Sequence, residues 1–146
     1  MQDKNRKGGH LSLLGVQVSG QNYLIEMPDI SEVLPLLPLT HVPLTKPWFN
    51  GIANVRGTLY CVADLAGFLG KGKASGVASN RLLLVANRYD INAALLVDRV
   101  FGLRDTGNWR CDAAQPDCYF DEHDTAWHLL NVTALLKQPD FLQIGL

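Results

Sequence analysis

Gly51-Ile52-Ala53-Asn54-Val55-Arg56-Gly57-Thr58-Leu59-Tyr60-Cys61-Val62-Ala63-Asp64 holds two extended runs separated by one glycine. Ile, Val, Tyr and Thr suit a pleated, half-buried surface, so Gly51–Arg56 and Thr58–Asp64 read as the strands of a hairpin broken at Gly57. The stretch from Asp64 to Gly70 then reads as a short helix. Asp64 is placed to cap its N-terminus and Gly70 to take the left-handed position that ends it. Upstream, prolines at positions 28, 35, 38, 43 and 47 each remove a ladder donor and push the preceding residue out of the helical region. A regular central strand is not expected there. Ile30–Leu34 still has room for one helical turn or a short strand, with Asp29 or Ser31 placed to cap it.

Farther out, Leu13–Val18 and Tyr23–Glu26 flank Ser19-Gly20-Gln21-Asn22, whose Gly and Asn tolerate the positive φ of a tight turn, and read as a first hairpin. Short apolar segments cut by turn residues point to a mostly β barrel or sandwich. Arg81–Ala86 and Ile91–Val97 are near-continuous apolar runs, as expected of strands buried on both faces, and are read as the start of a second barrel. The polar, acidic stretch Asp105–Asp124, broken by Gly107 and Pro116, reads as a long outer connection. Ala126–Leu130 is a last strand, and Asn131 is placed to cap a helix over Val132–Lys137. Phe141–Leu146 reads either as a strand or as a docked tail.

At 146 residues the chain is of ordinary size for one domain, expected over 11–146 behind a flexible tail at 1–10. Thirteen Lys and Arg against fourteen Asp and Glu leave no strong field for a polyanion, so nucleic acid is not expected as a partner. The opening Met1 to His10 has no apolar run behind its charges, and no stretch approaches bilayer length. A cytoplasmic protein, touching a membrane only indirectly through a partner, is the expectation. Three cysteines, Cys61, Cys111 and Cys118, do not suggest a disulfide framework in a chain of this size, and reduced thiols are the simpler reading.

Several chemistries suggest themselves and then fail on their own requirements. Gly67 to Ala74 matches a phosphate loop at all but the last position, where Ala74 lacks the hydroxyl a magnesium ion needs. Its glycines also follow a short helix rather than joining a strand to one, so a flexible loop over Lys71–Ser79 is the plainer reading. Cys111, Cys118, His123 and His128 can be assembled into a zinc site on paper, but the two cysteines stand seven apart rather than two to four. Asp112, Asp117, Asp121, Glu122 and Asp124 lack the order of a calcium loop, and no serine sits in a nucleophile elbow. No cofactor is therefore expected. A small metal- or ligand-dependent enzyme using the Cys111–His128 loop remains the alternative function.

Trp48 to Gly57 followed by Thr58 to Leu65 resembles the central signature of CheW-like domains: glycine, apolar residue, Asn, apolar residue, Arg and Gly before a strand ending in Asp-Leu. Ile30 to Leu34 is similar to that family's glutamate-containing segment, Leu95 to Val100 to its strand ending in Val-Asp, and Leu129 to Leu136 to its closing strand and helix. The wording around Gly51 and Asp64 is closest to the PilI-type branch, adaptors of the chemosensory system that controls type IV pilus twitching motility. Two departures stand out: Cys61 where the family often has proline, and Tyr119 to Asp124 in place of a glycine-containing stretch.

The resemblance implies a mostly β fold of two five-stranded SH3-like barrels over a shared core, with short helices and no catalytic apparatus. It implies coupling between the helical cytoplasmic tip of a methyl-accepting chemoreceptor and the regulatory domain of a CheA-type histidine kinase. The residues expected to form or support the partner surface are Glu32, Val33, Leu34, Asn54, Arg56, Gly57, Leu96, Val97 and Asp98. Arg56 is expected to take Glu32 as a forked partner, and burial of that pair would make its loss strongly destabilising. Val33, Leu34, Leu96 and Val97 are contact candidates or simply core, and Trp48 and Phe49 are interface anchors or core plugs.

Overall fold

The computed structural model describes residues 12–72 and 78–142. Strand β1 (Ser12–Val18) turns into β2 (Gln21–Glu26) through two residues in the left-handed region, Ser19 at φ 51° and Gly20 at φ 79°. This backbone twist matches that of the flanking strands. Asn22, expected in the turn, is instead a strand residue opposite Gln17. A 3-10 turn, Met27–Asp29, leads to β3 (Ile30–Pro35), followed by β4 (Phe49–Val55), β5 (Thr58–Asp64) and helix α1 (Leu65–Phe68). Then come β6 (Arg81–Val85), β7 (Ala93–Val97), β8 (Arg99–Asp105), β9 (Arg110–Cys111), β10 (Cys118–Phe120) and β11 (Ala126–Leu129). Helices α2 (Val132–Lys137) and α3 (Pro139–Leu142) close the described chain.

Two sheets result, in the orders β8-β1-β2-β11-β10-β9 and β3-β6-β7-β5-β4. The mostly β, two-sheet architecture is the one expected, and the first sheet carries a sixth strand, the two-residue β9. One sequence expectation is corrected. β6 and β7 do not open a new barrel; they fill the centre of the sheet that already holds β3, β4 and β5. Continuous apolar runs reported burial on both faces correctly, but burial does not say which sheet a strand joins. The chain changes sheet at the 3-10 turn Met27–Asp29 and again at Asp98, between β7 and β8.

The proline-rich segment places β3 at a sheet edge, where a missing donor does least harm. Beyond it, Thr40 exchanges backbone hydrogen bonds of 2.8 and 2.9 Å with Ile52 on the free side of β4, so the same segment that leaves one edge of the second sheet returns to the other. That close approach needs glycine at 51: its φ is +129°, and a Cβ there would stand 2.5 Å from the Thr40 carbonyl oxygen.

Side chains alternate between interiors. Ala53, Val55, Val62, Leu82, Leu84, Ala94 and Leu96 fill the second sheet's own core, and Leu13, Leu24 and Trp127 fill the first's. The opposite faces, including Leu14, Val16, Ile25, Leu83, Val85 and Leu95, meet in a third core shared by both sheets and closed by the helices. Trp48 and Phe49 belong to it at 8% and 6% exposure, so they are core plugs. Trp48 stacks on Phe141 of α3 with ring centroids 5.5 Å apart.

Capping follows expectation at two places and departs at a third. The Asp64 side chain accepts from Ala66 N at 3.1 Å and Asn131 from Ala134 N at 3.0 Å. Asp29 and Ser31 cap nothing: Asp29 is buried and accepts from Arg88 and from Tyr89 Oη (2.6 Å), while the Ser31 hydroxyl donates to the Leu84 carbonyl. The stretch read as an outer connection contributes β9, β10 and the buried Cys118 to the first sheet. The expected tail at 1–10, residues 73–77 of the Lys71–Ser79 loop with the decisive end of the phosphate-loop match, and residues 143–146 lie outside the described residues. Among those described, no helix is long and apolar enough to cross a membrane.

Candidate functional site

The Asn-Val-Arg-Gly wording is a turn with a purpose for each residue. Arg56 (φ 51°) and Gly57 (φ 90°) are the two central residues between the paired Val55 and Thr58, and both lie in the left-handed region. Glycine adopts it freely; arginine does so at a cost that a fixed turn must offset. Asn54 supplies part of that fixation, its Oδ1 accepting from Gly57 N at 2.8 Å. The turn delivers the guanidinium to Glu32 on β3: Arg56 Nη2 donates to Oε1 at 2.5 Å and Nη1 to Oε2 at 3.2 Å, a forked pair.

Glu32 stands opposite Leu84, a residue of the second sheet's interior, so the pair closes one end of that interior. The expected partnership is therefore present, and it is a solvent-facing rather than a buried pair. The Arg56 and Glu32 side chains are 68% and 36% exposed, so the strong destabilisation that burial would bring does not apply. The hydrogen bond from Arg56, with its positive charge, holds the Glu32 carboxyl below its ordinary range against the opposing effect of desolvation.

Around this pair the other expected residues separate into two groups. Val33 is 38% exposed on the edge strand, and Leu34 is half-buried against the second sheet's own core. Leu96 and Val97, at 3% and 1% exposure, lie in β7 between β5 and β6, Leu96 in the second sheet's own core and Val97 in the shared core, so neither reaches the surface. Asp98 sits where the chain returns to the first sheet and accepts from Ser19 N at 2.7 Å, tying the crossover to the first hairpin.

Sequence reasoning missed two features. A cavity of about 320 Å³ opens on the shared-core side of β5, lined by Trp48, Phe49, Leu59, Cys61, Ile91 and Phe141 among others. Burial there pushes the Cys61 thiol up. A polar junction also joins the first crossover to both sheets: Asp29 takes Arg88 and Tyr89 from the turn between β6 and β7, and Tyr89 Oη lies 2.7 Å from Thr133 Oγ1 on α2. Positions some sixty residues apart carry no local signal that they meet.

At the alternative site, Cys118 is buried, whereas Cys111, His123 and His128 are exposed. Among the described residues no group of three or more His, Cys, Asp or Glu comes close enough to hold a metal ion, so this alternative gains no geometric support. Burial, with Cys118, Asp112 and Asp117 adding to it, pushes the Cys111 thiol up.

The family profile of the CheW-like domain matches residues 12–114, which takes in the Arg56 turn, Glu32, Asp98 and the whole second sheet. The chain belongs to the CheW-like family. It is 33% identical over 141 positions to Protein PilI of Pseudomonas aeruginosa, covering 90% of this chain and 79% of that one. It is 30% identical over 97 positions to the chemotaxis protein CheW of Thermotoga maritima, covering 66% and 63% of the two chains. The crystal structure of the scaffolding protein TtCheW from Thermoanaerobacter tengcongensis superposes with a TM-score of 0.73 over 90% of this chain and 96% of that one. At 21% identity that likeness speaks for the fold. It extends past residue 114, in keeping with the pairing of β11 onto β2. CheW-like domains are scaffolding adaptors of chemotaxis-type signalling rather than enzymes.

Proposed function

We propose that this CheW-like domain is a non-enzymatic adaptor that couples the helical cytoplasmic tip of a methyl-accepting chemoreceptor to the regulatory domain of a CheA-type histidine kinase. Similarity to PilI supports a system that controls twitching motility. The adaptor works in the cytoplasm, reaches the membrane only through its receptor and needs neither cofactor nor nucleic acid.

The observation that carries this reading is the Arg56 turn. An adaptor needs a surface whose shape does not change between partners, and the Asn54-braced turn holds a guanidinium in one place against the edge strand. Val33, on the opposite face of the edge strand from Glu32, and Leu36, at 38% and 40% exposure, add apolar area for a partner to cover. Leu96 and Val97 keep the sheet beneath from yielding.

Calorimetry with the cognate receptor fragment and with the kinase regulatory domain tests the proposal. Binding at up to tens of micromolar is expected for transient contacts of this kind. Arg56→Lys keeps the charge and loses the fork, so binding to at least one partner should weaken while folding is preserved. Absence of binding to both fragments would sink the adaptor reading. Unchanged binding in Arg56→Ala would remove this turn from the surface.

A further inference from the structure

The described arginines differ in what they face, and Arg81 donates to the backbone carbonyls of Ala78 and Asn80. Arg56, Arg88 and Arg110 each meet a carboxylate, from Glu32, Asp29 and Asp124 respectively. Arg99 and Arg104 on β8 meet none among the described residues; both stack on the same ring. The Arg99 guanidinium carbon lies 5.1 Å from the Phe101 centroid, and that of Arg104 lies 6.0 Å from it and 5.8 Å from Trp127. The platform beneath is rigid: Trp127 is 5% exposed, packs edge-on to Phe101 at 5.5 Å, and donates its indole N–H to Asp121 Oδ2 at 3.0 Å. Packing explains the stems of these side chains, since Arg104 Cγ covers Gly15 at the mouth of the first sheet's interior. It does not explain two like-charged heads converging on one ring in a chain with more acids than bases. Stacking also fixes each guanidinium plane while leaving in-plane N–H groups to bind an anion. Arg104 directs one nitrogen to the Phe101 and Leu103 carbonyls at 3.3 and 3.0 Å, and the others remain available for a ligand.

We infer that the Arg99–Phe101–Arg104 face of β8 is a docking surface for an acidic segment of a partner protein, presenting two carboxylates to the two stacked guanidiniums. The carboxylates at the two ends of the strand favour a short acidic segment over an extended polyanion, which would run onto like charge on either side. Asp98 directly precedes β8 and Asp105 is its last residue, so the two arginines lie between carboxylates along the strand. Their field opposes a nucleic acid or an anionic bilayer but leaves the two central cations accessible. The face lies on the first sheet, away from the Arg56 turn, and does not depend on the receptor–kinase reading.

The test titrates isotope-labelled full-length protein with a helical peptide carrying Glu pairs four residues apart. Parallel titrations use inorganic phosphate, anionic phosphatidylglycerol vesicles and a single-stranded oligonucleotide. Saturable shifts confined to Arg99 and Arg104 Nε, Phe101 and the Trp127 indole are expected with the peptide, weakening as salt is raised. Arg99→Gln with Arg104→Gln should reduce the affinity at least tenfold. Arg81→Gln, a control outside the face, should not. The double Lys variant, which keeps both charges but stacks poorly, should fall between and guards against misreading a folding defect. The inference is overturned by shifts that are absent or spread over the surface, by equal peptide affinity in the double Gln variant, or by tighter binding of phosphate, vesicle or oligonucleotide.

Discussion

Arg56 combines two features that seldom coincide, a left-handed backbone and a forked ion pair, and each constrains what a substitution does. With both partners solvent-facing, salt and water screen the attraction, so its worth lies in geometry more than in stability. Glu32 titrates below an ordinary glutamate because the folded state favours its charged form. The associated stabilisation is therefore present above the unfolded-state pKa and fades as pH falls through the lower folded value. Carbon-detected NMR titration of the Glu32 carboxyl should show the depressed midpoint, and Arg56→Ala should return it to the normal range with little change in the denaturation midpoint. A Glu32 midpoint unmoved by the substitution would mean that the fork is not populated in solution. Asn54→Ala should broaden the turn resonances and weaken the same pair without touching either charged group, because Gly57 N loses its acceptor.

Among the elements, the segment between β3 and β4 does the most with the least regular structure. It closes the second sheet through one bridge at Thr40, and that bridge exists only because residue 51 has no side chain. Gly51→Ala meets a backbone oxygen and an unfavourable φ together, and should destabilise by about 2 kcal/mol or more in denaturant melts. Asn131→Ala removes a single cap and should cost about 1 kcal/mol, visible as faster amide exchange in the first turn of α2. Features of this local kind were the legible ones. Both hairpins, the Asp64 cap and the limits of α2 follow from turn and cap chemistry within a few residues. Sheet membership did not, because β5 pairs with β7, and β2 with β11, in parallel across long stretches of chain. The Arg56–Glu32 pair was found through family resemblance. The Asp29 junction and the stacked arginines of β8 depend on encounters that local sequence does not encode.

For the whole molecule the decisive element is the core shared by both sheets, which no single sheet can keep dry alone. Leu14 on β1 and Leu95 on β7 both belong to it, so each truncation to alanine should cost about 2–5 kcal/mol. Amide exchange of β2 and β6 should then accelerate together in either variant. Loss of protection in only one sheet would show two separately folding units. The crossover pattern has a further consequence during synthesis. β2 must align with β11, pairing Asn22 with Trp127, yet the entire second sheet is translated between them. At typical elongation rates of roughly 5–20 residues per second, the first hairpin waits on the order of 5–20 s outside the ribosome with an unpaired edge. The inserted sheet has all its strands by Val97, but the core it shares with the first sheet stays open until β11 arrives. Nascent chains arrested with residue 97 already clear of the ribosome should therefore remain protease-sensitive in both sheets, and protection of β1, β2, β6 and β7 should appear together once β11 emerges.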